Sequence, residues 1–174
     1  ITFLGRITMQ KGPNISFEAA AKVLAKAPYA RFVMAGSGDM MDQMIRLAAA
    51  RNISDRFHFT GFMKGKQVYE VLKASDVYVM PSVSEPFGIS PLEAMQCGVP
   101  SIILNNPVAP DLGYAIKVDY WDIEALADAM YSIITYPAMH EFLKVEGKKE
   151  WNNIKWEYAG QKVRRIYDNV IGNK

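Results

Sequence analysis

Residues 77–104 read VYVMPSVSEPFGISPLEAMQCGVPSIIL. A short apolar run, Val77 to Met80, gives way to a polar loop, then to a stretch of helical period from Pro91 to Cys97, then to a second apolar run, Ser101 to Leu104. Runs this short, rich in β-branched residues and bounded by Gly and Pro, predict strands. A strand, a helix and a strand in that order predict a parallel pair joined by a right-handed crossover.

The same alternation extends in both directions. Further strands are predicted at Ile1 to Leu4, Ala30 to Ala35, Arg56 to Thr60 and Ala115 to Val118, and helices at Ile15 to Lys26, Asp39 to Arg51, Lys66 to Ala74 and Ile123 to Tyr136. After Tyr136-Pro137 the pattern becomes helical alone, with Met139 to Glu150 and Trp156 to Ile171. The expected fold is α/β: a Rossmann-like, doubly wound parallel sheet of about six strands with C-terminal helices.

Composition narrows the function classes. The 174 residues are 50% hydrophobic and 22% charged, enough to bury a core and unlike a disordered or collagenous chain. Twenty Lys plus Arg against eighteen Asp plus Glu leave +2, without the basic surplus expected of a nucleic-acid binder. Cys97 is the single cysteine, which excludes an intrachain disulfide and a CxxC zinc site and fits a reducing cytoplasm. No apolar run approaches the roughly 20 residues of a membrane span. The chain opens on Ile1 inside a strand, so an excised piece of a longer protein is expected.

In an open sheet of this kind, ligands bind beyond the carboxyl ends of the strands. The first strand is followed by Gly5, Arg6, Lys11 and Gly12, the second by Gly36-Ser37-Gly38, the third by Gly61 and the fourth by Pro81 through Glu93. Gly36-Ser37-Gly38 is an incomplete dinucleotide loop; it reads as a tight turn or as a ligand contact, and there is no P-loop. Arg6 and Lys11 are two solvated surface charges or a cationic pair for a departing diphosphate.

The segment from Glu85 to Glu93 is richer. Gly88 lets backbone approach a ligand, and a helix starting near Ser90-Pro91 aims free N–H groups and its positive end at an anion. Glu85 and Glu93 bracket that place. Glu93 also completes a capping box with Ser90, Pro91 standing at the first helical position, so a hydroxyl-binding and a capping role are both open. His58 alternates with Phe57 and Phe59 and is read as structural. His140 lies in a tail helix, and Tyr69, Val71, Leu72, Met40, Met41 and Met44 are read as core. Lys162, Arg164 and Arg165 form a solvated helix face or a weak membrane-surface or partner contact.

Phe3-Leu4-Gly5-Arg6 with Lys11-Gly12, Phe59-Thr60-Gly61, Ser75-Asp76-Val77, Pro81-Ser82, Glu85-Pro86-Phe87-Gly88, Leu92-Glu93-Ala94-Met95 and Gly98-Val99-Pro100 together resemble the C-terminal half of a GT-B glycosyltransferase of the retaining family 4, the glycosyltransferase group 1 type. The likeness runs in register from Ile1 to about Leu104, and Glu85 and Glu93 match the family's E-x7-E motif.

The resemblance implies one nucleotide-sugar-binding domain over residues 1–174, gripping a UDP- or GDP-sugar, with an N-terminal acceptor domain absent. Arg6 and Lys11 would hold the diphosphate, with backbone from Gly5 and from Phe87, Gly88, Ile89 and Ser90 beside it. Glu93 would accept from the ribose hydroxyls, Glu85 would contact the transferred hexose, and Gly61, Phe62 and Met63 would lie by the base. No metal or cofactor is implied, the departing phosphate would help deprotonate the acceptor, and the piece alone would transfer little. Family members carry a Gly-rich turn and an acidic residue after the fifth strand, where this chain reads Asn105-Asn106-Pro107-Val108-Ala109-Pro110. The rival expectations are a non-catalytic nucleotide-binding or partner-docking module and a sugar-nucleotide epimerase.

Overall fold

A computed structural model describes residues 1–85, 88–105, 112–119, 121–154 and 156–172, with the side chains of Trp156 and Gly172 left aside. The strands are β1 (Thr2–Leu4), β2 (Phe32–Ala35), β3 (Phe57–Gly61), β4 (Tyr78–Met80), β5 (Ser101–Leu104) and β6 (Ile116–Val118). The helices are α1 (Pro13–Lys26), α2 (Met41–Ala50), α3 (Lys66–Lys73), α4 (Ile89–Gln96), α5 (Ile123–Thr135), α6 (Pro137–Asn153) and α7 (Trp156–Gly172). Each predicted element is present within a few residues of its expected bounds. Two 3₁₀ turns, Met9–Lys11 and Ser54–Arg56, are additional; three residues are too few to leave a periodic signal.

The sheet order is β3-β2-β1-β4-β5-β6, and every pairing is parallel. Strand order reverses between β1 and β4, so the loops leaving these two strands diverge and leave a crevice at their carboxyl ends. This neighbour relation positions the site.

Strand alternation sorts the core into two faces. Val77, Val79, Ile102 and Leu104 pack with Ile15, Ala19 and Val23 of α1 and Leu126, Met130 and Ile133 of α5. Tyr78, Met80 and Ile103 turn the other way, onto Leu72 of α3 and Leu92 and Met95 of α4. A third cluster joins Phe3, Met34, Met40, Met44 and Ala48, with Met41 packed against it. At about 1.5–3 kcal/mol for each fully buried large aliphatic or aromatic side chain, these clusters hold the rim loops on a rigid base.

The core expectations hold for Leu72, Val71, Met40, Met41 and Met44, but Tyr69 is exposed, on the solvent side of α3. Every described side chain of α7 is exposed, including Lys162, Arg164 and Arg165. Among the described residues no helix is long and apolar enough to cross a membrane.

Candidate functional site at the β1 and β4 loops

After β1 the chain passes Gly5 and Arg6 and tightens into the 3₁₀ turn that ends at Lys11. The turn is closed by Lys11 N donating to Thr8 O at 3.0 Å and Gly12 N donating to Met9 O at 3.1 Å. Gly12 is left-handed (φ +66°), and a Cβ there would lie 2.2 Å from the carbonyl oxygen of Pro81. Only glycine lets this turn lie so close to the chain leaving β4.

That contact brings the predicted cation and the predicted acid together. Lys11 Nζ and a carboxylate oxygen of Glu85 form an ion pair whose side chains keep only 19% and 12% of their exposure. The other Glu85 oxygen accepts from Gly88 N at 3.2 Å. Arg6 stays exposed, its guanidinium donating to Gln10 Oε1 at 3.3 Å.

Gly88 is left-handed (φ +71°) and precedes α4, which begins at Ile89 rather than near Ser90-Pro91. The capping box is therefore corrected: no side-chain hydrogen bond caps α4, and Ser90 lies inside its first turn. The αL conformation of Gly88 redirects the chain early enough to start the helix two residues sooner. Ile89 and Ser90 carry first-turn N–H groups without intrahelical partners, whereas Pro91 has none to offer. Released from capping, Glu93 is half-buried, and desolvation raises its pKa above the ordinary glutamate value.

Tyr78, below this loop, is fully buried. Burial, then the nearby Glu85 and Glu93 charges, push its pKa up, Ser90 opposing them. Its hydroxyl nevertheless makes no hydrogen bond of good geometry, and neither do the buried side-chain oxygens of Thr8 and Ser82. Tyr78 and Gln10 are missed by sequence reasoning. A tyrosine in an apolar strand looks like core, and a glutamine bonding across 74 residues leaves no local pattern.

On the other side of β1, a cavity of about 370 Å³ is lined by Leu4, Gly5, Arg6, Ala35, Gly36, Ser37, Phe62 and Met63. Phe62 is 73% exposed there, and Gly61 is left-handed at φ +72°. A Cβ on Gly5 or Gly61 would meet nothing within 4 Å. Gly36 and Gly38 differ: added Cβ atoms would lie 1.8 Å from Gly5 O and 2.3 Å from Ile7 O, so these glycines serve loop packing.

The structure thus gathers Arg6, Lys11, Glu85, Gly88, Ile89, Ser90 and Glu93 around the β1–β4 crevice, with Gly5, Gly61, Phe62 and Met63 beside it. Phe87 and residues 106–111 lie outside the described residues, as does any contact expected of Pro107 or Pro110. His58 is exposed on the face of β3 opposite the stacked Phe57 and Phe59. His140 Nε2 lies 3.1 Å from Asp76 O, at the amino end of β4 and away from the crevice.

Known proteins resemble this chain along most of its length. The family model described as glycosyl transferases group 1 matches residues 1–150, extending the likeness beyond Leu104 into α6. A D-inositol 3-phosphate glycosyltransferase of Rhodococcus opacus is 32% identical over 96% of this chain and 40% of its own length. A 2-deoxystreptamine N-acetyl-D-glucosaminyltransferase of Niallia circulans is 32% identical over 86% of this chain and 40% of its own. The chain thus spans about 40% of the length of these curated relatives.

Among solved structures, S. aureus TarM in a complex that includes UDP superposes with a TM-score of 0.87 at 17% identity, covering 96% of this chain and 35% of that one. The C-terminal domain of a glycosyl transferase group 1 family protein of Francisella tularensis superposes at 0.81 with 21% identity, covering 88% of this chain and 84% of that one. The chain belongs to the glycosyl transferases group 1 family and has the fold of the C-terminal half of a GT-B glycosyltransferase.

Proposed function

We propose that this chain is the donor-binding half of a retaining family 4 glycosyltransferase, which moves a hexose from a nucleoside diphosphate sugar to a saccharide, lipid or other acceptor. The observation that carries the proposal is the convergence of Lys11 and Glu85 at the mouth of α4, where strand order reverses. Anabaena HepE, which superposes at a TM-score of 0.83 and 16% identity over 97% of this chain and 47% of that one, is described with UDP and glucose bound. That supports a nucleotide-sugar donor by likeness of fold.

In this proposal Arg6 and Lys11 face the diphosphate and stabilise the charge that grows on it as the glycosidic bond breaks. Two positive side chains supply the charge that a divalent ion supplies in other transferases. The Ile89 and Ser90 amides add to that field. Glu93 accepts from the ribose hydroxyls and Glu85 from the hexose, while Phe62 and Met63 border the space for the base. The departing phosphate takes the acceptor proton. A second, acceptor-bearing half completes the active enzyme.

Binding to the folded state raises apparent stability by mass action. UDP or GDP is expected to raise the thermal midpoint of the chain, and Glu93→Ala to remove most of that gain. A midpoint that neither nucleotide moves overturns the donor-site proposal; a gain unchanged in Glu93→Ala removes Glu93 from it.

A further inference from the structure

Gln10 stands between the two proposed phosphate-binding cations, at the centre of the 3₁₀ turn, and both its backbone and its side chain are engaged. Its carbonyl accepts from Val83 N at 2.9 Å. Its side-chain amide donates through Nε2 to Ser84 O at 3.1 Å and accepts through Oε1 from the Arg6 guanidinium at 3.3 Å. Arg offers donors alone and a carbonyl accepts alone, so one amide orientation satisfies both partners. The β4–α4 chain next to the ion-paired Glu85 is thereby tied to Arg6 through one side chain, while the neighbouring Lys11 bonds Glu85 directly.

We propose that Gln10 is a positioning residue: anchored on Ser84 O, it holds the Arg6 guanidinium in place beside the crevice, so that this cation meets a diphosphate already ordered. The inference rests on the donor site proposed above. A free arginine samples many rotamers, and fixing it on binding costs conformational entropy. Gln10 restricts that freedom beforehand. With five N–H donors, the guanidinium retains enough to engage phosphate oxygens without releasing the amide.

The competing explanation is that Gln10 merely staples two loops. The two are separated by whether a loss is confined to the phosphates and passes through Arg6. Gln10→Met preserves length and removes both hydrogen bonds. Titrations of UDP and GDP, each against its nucleoside, are made on the wild type, Gln10→Met, Arg6→Met and the double variant. The tighter-binding diphosphate is expected to weaken about fivefold in Gln10→Met, the scale of ordering one flexible side chain on binding. Nucleoside affinity should stay unchanged. In the Arg6→Met background the same substitution should have no further effect, because the coupling partner is gone.

Equal loss of diphosphate and nucleoside, or the full fivefold loss in the Arg6→Met background, overturns the positioning role, as does an unchanged diphosphate affinity in Gln10→Met. A wild type that binds neither UDP nor GDP overturns the donor site and this inference together.

Discussion

The turn after β2 and the loop after β4 both place glycine at a helix entrance on the same rim of the sheet, yet the glycines do different work. Gly36 and Gly38 are required by protein: Gly5 O and Ile7 O occupy the space that side chains would need. Gly88 sets the start of α4, and beside it the Lys11 and Glu85 side chains pair, with the second Glu85 oxygen accepting from Gly88 N. A glycine-rich rim loop is therefore not by itself a ligand cradle. What separates the loops is whether the freed space is filled by backbone or faced by polar groups of opposite charge.

The largest effect that could break this comparison is on folding. Gly36→Ala combines φ +141° with a Cβ only 1.8 Å from Gly5 O, and should destabilise the chain by roughly 3 kcal/mol or more in denaturant unfolding. Unchanged stability with lost nucleotide binding would make the β2 turn a ligand loop after all.

Next is the ion pair. Under the proposed donor site Glu85 competes with a diphosphate for Lys11, so Glu85→Gln should tighten UDP or GDP binding about three- to tenfold in calorimetry. Sugar transfer by the whole transferase should be lost. Weaker nucleotide binding in this variant would mean that the pair is a prerequisite of the site and not its competitor.

The smallest effect is on pH dependence. The folded-state pKa of Glu93 is raised by burial, so the folded chain binds the proton more tightly than the unfolded one. Its contribution to stability is fully present below the unfolded value of about 4.5 and is lost as pH rises through the raised folded value. Hydroxyl binding needs the ionised form, which is depleted as pH falls into that window. The wild-type to Glu93→Gln ratio of nucleotide affinities should therefore fall as pH is lowered. A ratio independent of pH would separate Glu93 from the ligand.

Most of the fold was legible because strand and helix periods are local. Val77 to Met80 and Ser101 to Leu104 announce themselves as buried strands, whereas the helices expected from Ile15 and Met139 each begin two residues earlier, on Pro13 and Pro137, whose fixed φ suits the first helical position. The helix start at Ile89 was less legible, since Ser90-Pro91 is a good local entrance and the left-handed Gly88 prevailed over it. The site was legible as a set of residues on one rim but not as contacts. That Lys11 would pair with Glu85 follows from β1 lying beside β4, and crossover lengths alone do not fix that order. The tie from Gln10 to Ser84 depends on the same adjacency.

The most direct measurement is the crystal structure of the chain with UDP or GDP bound. The diphosphate is expected between Arg6, Lys11 and the amides of Ile89 and Ser90, the ribose hydroxyls at Glu93, and the Lys11 ammonium drawn from Glu85 toward phosphate oxygen. A nucleotide lodged away from the β1–β4 crevice, with the Lys11–Glu85 pair closed as in the free chain, would contradict the account.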